Sequence, residues 1–161
     1  MPSNLLQTHP QLFAFNIKPA KLFMLSLTLC ILIGYFFHYI ELFYFPENSG
    51  TGPFTKGESK QYIIVVSSIF GPLVETFLFQ MLPYYLFKKA GISNQYLVLF
   101  LPAIVFGYFH TYNPLYQLGA FTNGLVFNYT YIWYRINYKL AFLLVTLLHS
   151  AYNLYGTLFV V

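Results

Sequence analysis

Four residues in this sequence are of types that do chemistry, and each lies within or at the end of an apolar stretch: Glu75, His110, His149 and Asn153. An acid at the centre of a bilayer costs about 2.5–3.5 kcal/mol even on insertion scales, so Glu75 needs a partner or a task. Every Lys and Arg lies at the end of an apolar segment or outside one, which leaves imidazoles or water as partners. Taken singly, each of the four reads as a polar group that bridges helices. Together, an acid, two imidazoles and an amide on three segments form a hydrolytic set. The carboxylate can take a proton from water and an imidazole beside it can share or position that proton. A second imidazole and an amide four residues apart share one helix face and can donate to the oxyanion of a tetrahedral intermediate. The same residue types also suit a Glu/His/His metal site, although the His-Glu-x-x-His zinc motif is absent.

The elements that must hold these groups are transmembrane helices. Of the residues, 58% are hydrophobic, 22% aromatic and 7% charged, against about 25% charged in a typical globular protein. At about 20 residues per span, a chain of 161 residues holds four to six spans and no second soluble domain. The expectation is an all-α, multi-pass transmembrane helix bundle of about five spans, near residues 20–44, 61–87, 96–112, 118–134 and 140–161. Residues 1–17, with His9, read as a tail or interfacial segment. Residues 18–60 hold the first span and a Gly- and Pro-containing loop, and 61–161 a four-helix core. The first apolar run is too long for a signal-peptide core and has no small-residue cleavage site. Gly71-Pro72 and Pro83 should bend the second span. Counted along straight helices at about 1.5 Å per residue, Glu75 and His110 lie at different depths, so a shared site requires the second span to tilt, bend or start later.

The net charge of +4 comes from bases in ones and twos between apolar runs, a topology signal and no nucleic-acid stripe. Lys18, Lys21, Lys88, Lys89, Arg135 and Lys139 fall on one side and Lys56 and Lys60 on the other, placing the N-terminus inside a membrane, taken to be the plasma membrane. The expected partners are the lipid bilayer and a membrane-associated peptide or protein. The one cysteine, Cys30, follows Leu27-Thr28-Leu29 and lacks the small residues that lipidation needs. The Asn128-Tyr129-Thr130 sequon falls inside a span, out of reach of glycosylation. His38 and Glu41, near the outer end of the first span, read as interfacial residues.

The spacing resembles the CAAX-protease and bacteriocin-processing family of intramembrane proteases, which includes the type II CAAX prenyl endopeptidases. The family pattern is Glu-Glu-x-x-x-Arg, Phe-x-x-x-His and His-x-x-x-Asn. Here Phe106-Gly107-Tyr108-Phe109-His110 and His149-Ser150-Ala151-Tyr152-Asn153 match in full, and Glu75-Thr76-Phe77-Leu78-Phe79-Gln80 matches at Glu75. Gly124, with Ala120 before it, resembles the glycine-containing helix that precedes the third motif. The resemblance implies that Glu75 is the general base, that His110 helps activate water, and that His149 and Asn153 hold the oxyanion. Phe106, Thr76 and Gln80 would support them. It implies no fixed cofactor and leaves a divalent metal such as zinc open. Thr76 and Gln80 replace the family's second Glu and its Arg together, and a neutral hydrogen bond between them is expected in place of the ion pair.

Two readings stand beside peptidase activity. One is a non-catalytic immunity or partner-binding membrane protein of the same fold, and the other a small transporter with Glu75 as proton carrier. The lack of an internal repeat speaks against the transporter. Retention of Glu75, both histidines and Asn153 favours catalysis, since a binder has no use for a costly buried acid.

Overall fold

The structure is a computed structural model that describes residues 16–48, 54 and 57–160. The expectations for residues 1–15, including His9, and for Lys56 and most of the glycine-rich loop fall outside the described residues. Five long helices follow one another: α1 (Pro19–Tyr44), α2 (Lys60–Lys89), α3 (Gln95–Tyr108), α4 (Pro114–Asn137) and α5 (Ala141–Phe159). Among the described residues there is no strand.

By length and composition α1, α2 and α5 can each cross a membrane. The other two of the five helices differ from these in length or polarity. With 14 residues, α3 rises about 21 Å and falls short of a hydrocarbon core of about 30 Å. The 24 residues of α4 are long enough, but α4 is not among the helices apolar enough to span. Its polarity has a packing reason. It lies at the centre of the bundle, touching α1, α3, α5 and the 77–81 stretch of α2, and it buries Asn123, Asn128 and Thr130 with Phe127, Tyr131, Ile132, Trp133 and Tyr134. A helix surrounded by other helices meets polar side chains rather than lipid tails, so its interior face can carry amides and hydroxyls. Asn128 donates to the Leu99 carbonyl (2.9 Å), and the Thr130 and Ser26 hydroxyls are 2.9 Å apart. The sequon is thus committed to helix contacts. By contrast Met24, Leu32, Phe36, Val74, Leu101 and Leu147 are exposed, as lipid-facing side chains are.

The helix ends are written in the sequence. Gly91, at φ 72°, ends α2: the Ile92 N–H reaches back to the Phe87 carbonyl and the Gly91 N–H to that of Lys88, a C-terminal motif that glycine favours. The Asn94 side chain caps α3 through the N–H groups of Tyr96 and Leu97. Asn113 caps α4 through that of Tyr116, with Pro114 at the first helical position.

The bends expected in α2 take a specific form. The helix does not break; it widens into π-helical turns at Val66–Phe70 and Phe77–Met81. Each turn ends two residues before a proline, Pro72 and Pro83. Proline has no N–H and cannot continue the α ladder, and a π turn is one way for a helix to absorb it. The short α-helical stretch between the two turns, Gly71–Thr76, carries Glu75.

Candidate active site

Glu75 and His149 face each other across α2 and α5, with Glu75 Oε2 3.5 Å from His149 Nε2. The imidazole is almost wholly buried while the Glu75 side chain is 28% exposed, so the carboxylate remains reachable from outside the bundle. Gly71 makes room for it: a Cβ there would lie 3.1 Å from the Val66 carbonyl oxygen and 3.6 Å from Glu75 Oε1.

Asn153, one turn beyond His149, also faces α2, and its Nδ2 donates to the Ser67 carbonyl at 2.8 Å. The sequence explains why that carbonyl is available. In the π spacing of this turn, where the Gly71 N–H bonds to the Val66 carbonyl, the donor for Ser67 would be the N–H of residue 72. Residue 72 is proline. The Asn153 amide thus satisfies a part-buried acceptor that α2 cannot, and keeps a second N–H for other work.

His110 is placed differently from the sequence expectation. It does not lie inside a third span reaching residue 112; α3 ends at Tyr108 and His110 stands in the following turn, half-buried. Its Nδ1 is 2.7 Å from the Phe106 carbonyl oxygen. A carbonyl can only accept, so Nδ1 carries the proton and Nε2 of the neutral ring keeps its lone pair.

Phe106 joins the two histidines. Its buried ring lies 4.4 Å from that of His110 and 6.0 Å from that of His149, centroid to centroid, and it packs on Phe79 and Phe127. A Cβ on Gly124 would come within 2.9 Å of this ring, so the glycine in α4 sets how closely Phe106 sits. The four catalytic candidates therefore gather on α2, α5 and the turn after α3, with Phe106 behind them.

Thr76 and Gln80 are both buried, but the expected hydrogen bond between them is not made. The Thr76 hydroxyl and both polar atoms of the Gln80 amide have no hydrogen-bond partner among the described residues. Positions 76 and 80 are one turn apart along the helix, yet their polar atoms do not meet. His149 Nδ1 and the Thr146 hydroxyl are also without partners.

Sequence reasoning passed over several polar residues beside the site. Glu41 Oε1 accepts from Asn113 Nδ2 at 3.0 Å, so Glu41 is more than an interfacial residue. Tyr116 stacks on His110 with ring centroids 5.9 Å apart, and Asn123 donates to the Tyr152 hydroxyl at 3.0 Å. The Asn113-Pro114 step was a legible helix start; the long-range partners had no local signal. As for a metal, no three His, Cys, Asp or Glu side chains group as ligands among the described residues, while His110 keeps Nε2 free with Nδ1 on the Phe106 carbonyl.

A family model, type II CAAX prenyl endopeptidase Rce1-like, matches residues 58–155. No curated protein and no solved structure matches. The matched stretch holds α2, α3, α4 and most of α5 with all four candidate residues, and, spanning more than half of the chain, it makes this protein a member of the type II CAAX prenyl endopeptidase Rce1-like family.

Proposed function

We propose that this membrane protein is an intramembrane endopeptidase that cleaves a membrane-associated peptide or protein with water activated by Glu75. The observation that carries the reading is the 3.5 Å approach of Glu75 and His149 from helices far apart in sequence, with Asn153 on the same face of α5. In the proposed reaction the Glu75 carboxylate takes a proton from a water held between it and His110 Nε2. The resulting hydroxide attacks the peptide carbonyl carbon. The carbonyl oxygen becomes an oxyanion and accepts hydrogen bonds from His149 and from the second N–H of Asn153. Glu75 then gives its proton to the leaving nitrogen, the C–N bond breaks, and a carboxylic acid and an amine depart.

Membership of a prenyl endopeptidase family makes a prenylated CAAX C-terminus the first substrate class to test. The charge distribution supports an N-terminus on the inner side of the plasma membrane. The test compares membrane proteomes of cells carrying the wild-type protein and Glu75→Ala. A peptidase leaves an uncleaved precursor that accumulates only with Glu75→Ala. Identical proteomes, with the purified wild-type protein inert toward a prenylated CAAX peptide, would instead support the non-catalytic binding reading. Metal dependence is tested on the purified protein, whose rate should survive exhaustive chelation.

A further inference from the structure

The family match begins at residue 58 and leaves α1 outside it, yet one side chain of α1 reaches the turn that carries His110. Glu41 stands in the last turn of α1, and its Oε1 accepts from Asn113 Nδ2 at 3.0 Å. Asn113 is buried, and its Oδ1 caps the first turn of α4 through the Tyr116 N–H at 2.8 Å. A carboxylate beside this helix N-terminus is favoured by the unpaired N–H groups there. One amide thus links three elements: its NH2 group to α1, its oxygen to α4, and its backbone to the turn after α3. The turn itself is short, with the Tyr112 N–H bonded to the His110 carbonyl. Tyr116, whose N–H receives the cap, stacks on the His110 ring in near-parallel fashion, 20° between planes. The position of His110 is therefore fixed from two sides, by the Phe106 carbonyl at Nδ1 and by the Tyr116 ring behind it.

We infer that Glu41 is a positioning residue: through Asn113 it ties α1 to the turn between α3 and α4 and so holds Tyr116 and His110 in place. Its effect on turnover rests on the peptidase reading above; the tie itself does not. Two alternatives to a tie are a solvated interfacial acid and an ordinary helix cap that would form without Glu41.

The experiment uses the full-length protein in membranes. Thr111 is exposed in the turn, and Cys30, the one native thiol, is buried, so a Thr111→Cys variant offers one reactive site to a water-soluble maleimide. Adding Glu41→Leu should raise the labelling rate several-fold by loosening the turn. Asn113→Asp keeps a good helix cap but sets two carboxylates against each other, and should loosen the turn similarly. Glu41→Gln combined with Asn113→Asp restores a donor facing an acceptor and should return labelling to the parent rate. In the purified protein acting on a prenylated CAAX peptide, Glu41→Leu should lower kcat about ten- to a hundredfold, the cost of a misplaced catalytic group, with KM unchanged. Glu41→Gln, which keeps the acceptor oxygen, should recover most of that loss.

Unchanged labelling in Glu41→Leu, or a double variant no better than Asn113→Asp alone, would overturn the inference. An active wild-type protein whose Glu41→Leu variant keeps full kcat would do the same. If the wild-type protein is inert toward substrate while labelling follows the predicted pattern, the peptidase reading fails and the tie stands.

Discussion

His149 and Asn153 do different structural work although they are four residues apart on α5. His149 Nε2 faces Glu75, whereas the Asn153 amide satisfies the Ser67 carbonyl. We expect His149→Ala to lower kcat on the order of 10²–10³, as loss of an oxyanion donor does elsewhere, with some loss of thermal stability because the ring is buried against Phe127. Asn153→Ala should show a similar rate loss together with lower thermal stability, because it leaves a part-buried carbonyl without a donor, a cost of about 1 kcal/mol. A rate loss without a stability loss would mean that the Ser67 contact is dispensable. Gln80 calls for the opposite outcome. Its amide is buried with no partner, so Gln80→Met, of similar shape and without polar atoms, should leave thermal stability unchanged or raise it; a clear fall would show that the amide has a polar partner. The four catalytic candidates were legible in the sequence because hydrocarbon penalises each of them. The pairing of Glu41 with Asn113 was not, since it joins residues 72 apart with no local pattern, and the Thr76–Gln80 bond is absent although the two residues are one turn apart.

At the scale of elements, α2 is the part on which the site depends. Its two π turns bracket Glu75, and the first leaves the Ser67 carbonyl for Asn153. Pro72→Ala supplies the missing N–H and allows the turn to relax to α spacing. That change turns the residues after it relative to those before it, so activity should fall at least tenfold even if the helix becomes more stable, as removal of an interior proline permits. Unchanged turnover would show that the π turn is incidental. Gly71→Ala tests the same stretch from the side chain. The new Cβ would press on the Val66 carbonyl at 3.1 Å and border Glu75 Oε1 at 3.6 Å, so activity should fall while membrane insertion is retained. Sequence placed every helix to within a few residues, with the widest misses at the end of α3, whose apolar character continues past the helix through Phe109 and Tyr112, and at the start of α4, which begins at Pro114. Composition marks what lipid tolerates; it does not mark where a backbone leaves its helix. The prolines announced a disturbance in α2, and the register it takes followed only from the hydrogen bonds.

For the molecule as a whole, hydropathy and family membership agree on a helical membrane bundle whose helices differ in role. α1, α2 and α5 are long and apolar enough to span, α3 is short and exposes Leu101 and Ile104, and α4 fills the centre with amides and hydroxyls. The polarity of α4 was visible in the sequence, but its cause, burial among other helices, required the fold. α1 packs on α4 and α5, and its Ser26 and Tyr35 hydroxyls pair with Thr130 and Tyr155, so the packed bundle extends beyond the stretch that the family model matches. The central claim is that Glu75 is the base of a peptidase, and the direct measurement is the rate of peptide-bond cleavage by purified wild-type and Glu75→Gln proteins, on a prenylated CAAX peptide and on any precursor that accumulates with Glu75→Ala. Glu75→Gln keeps the shape and hydrogen-bonding capacity of the side chain and removes its basicity. The account predicts a folded variant, of unchanged thermal stability, with no detectable cleavage; cleavage by Glu75→Gln at the wild-type rate would contradict it.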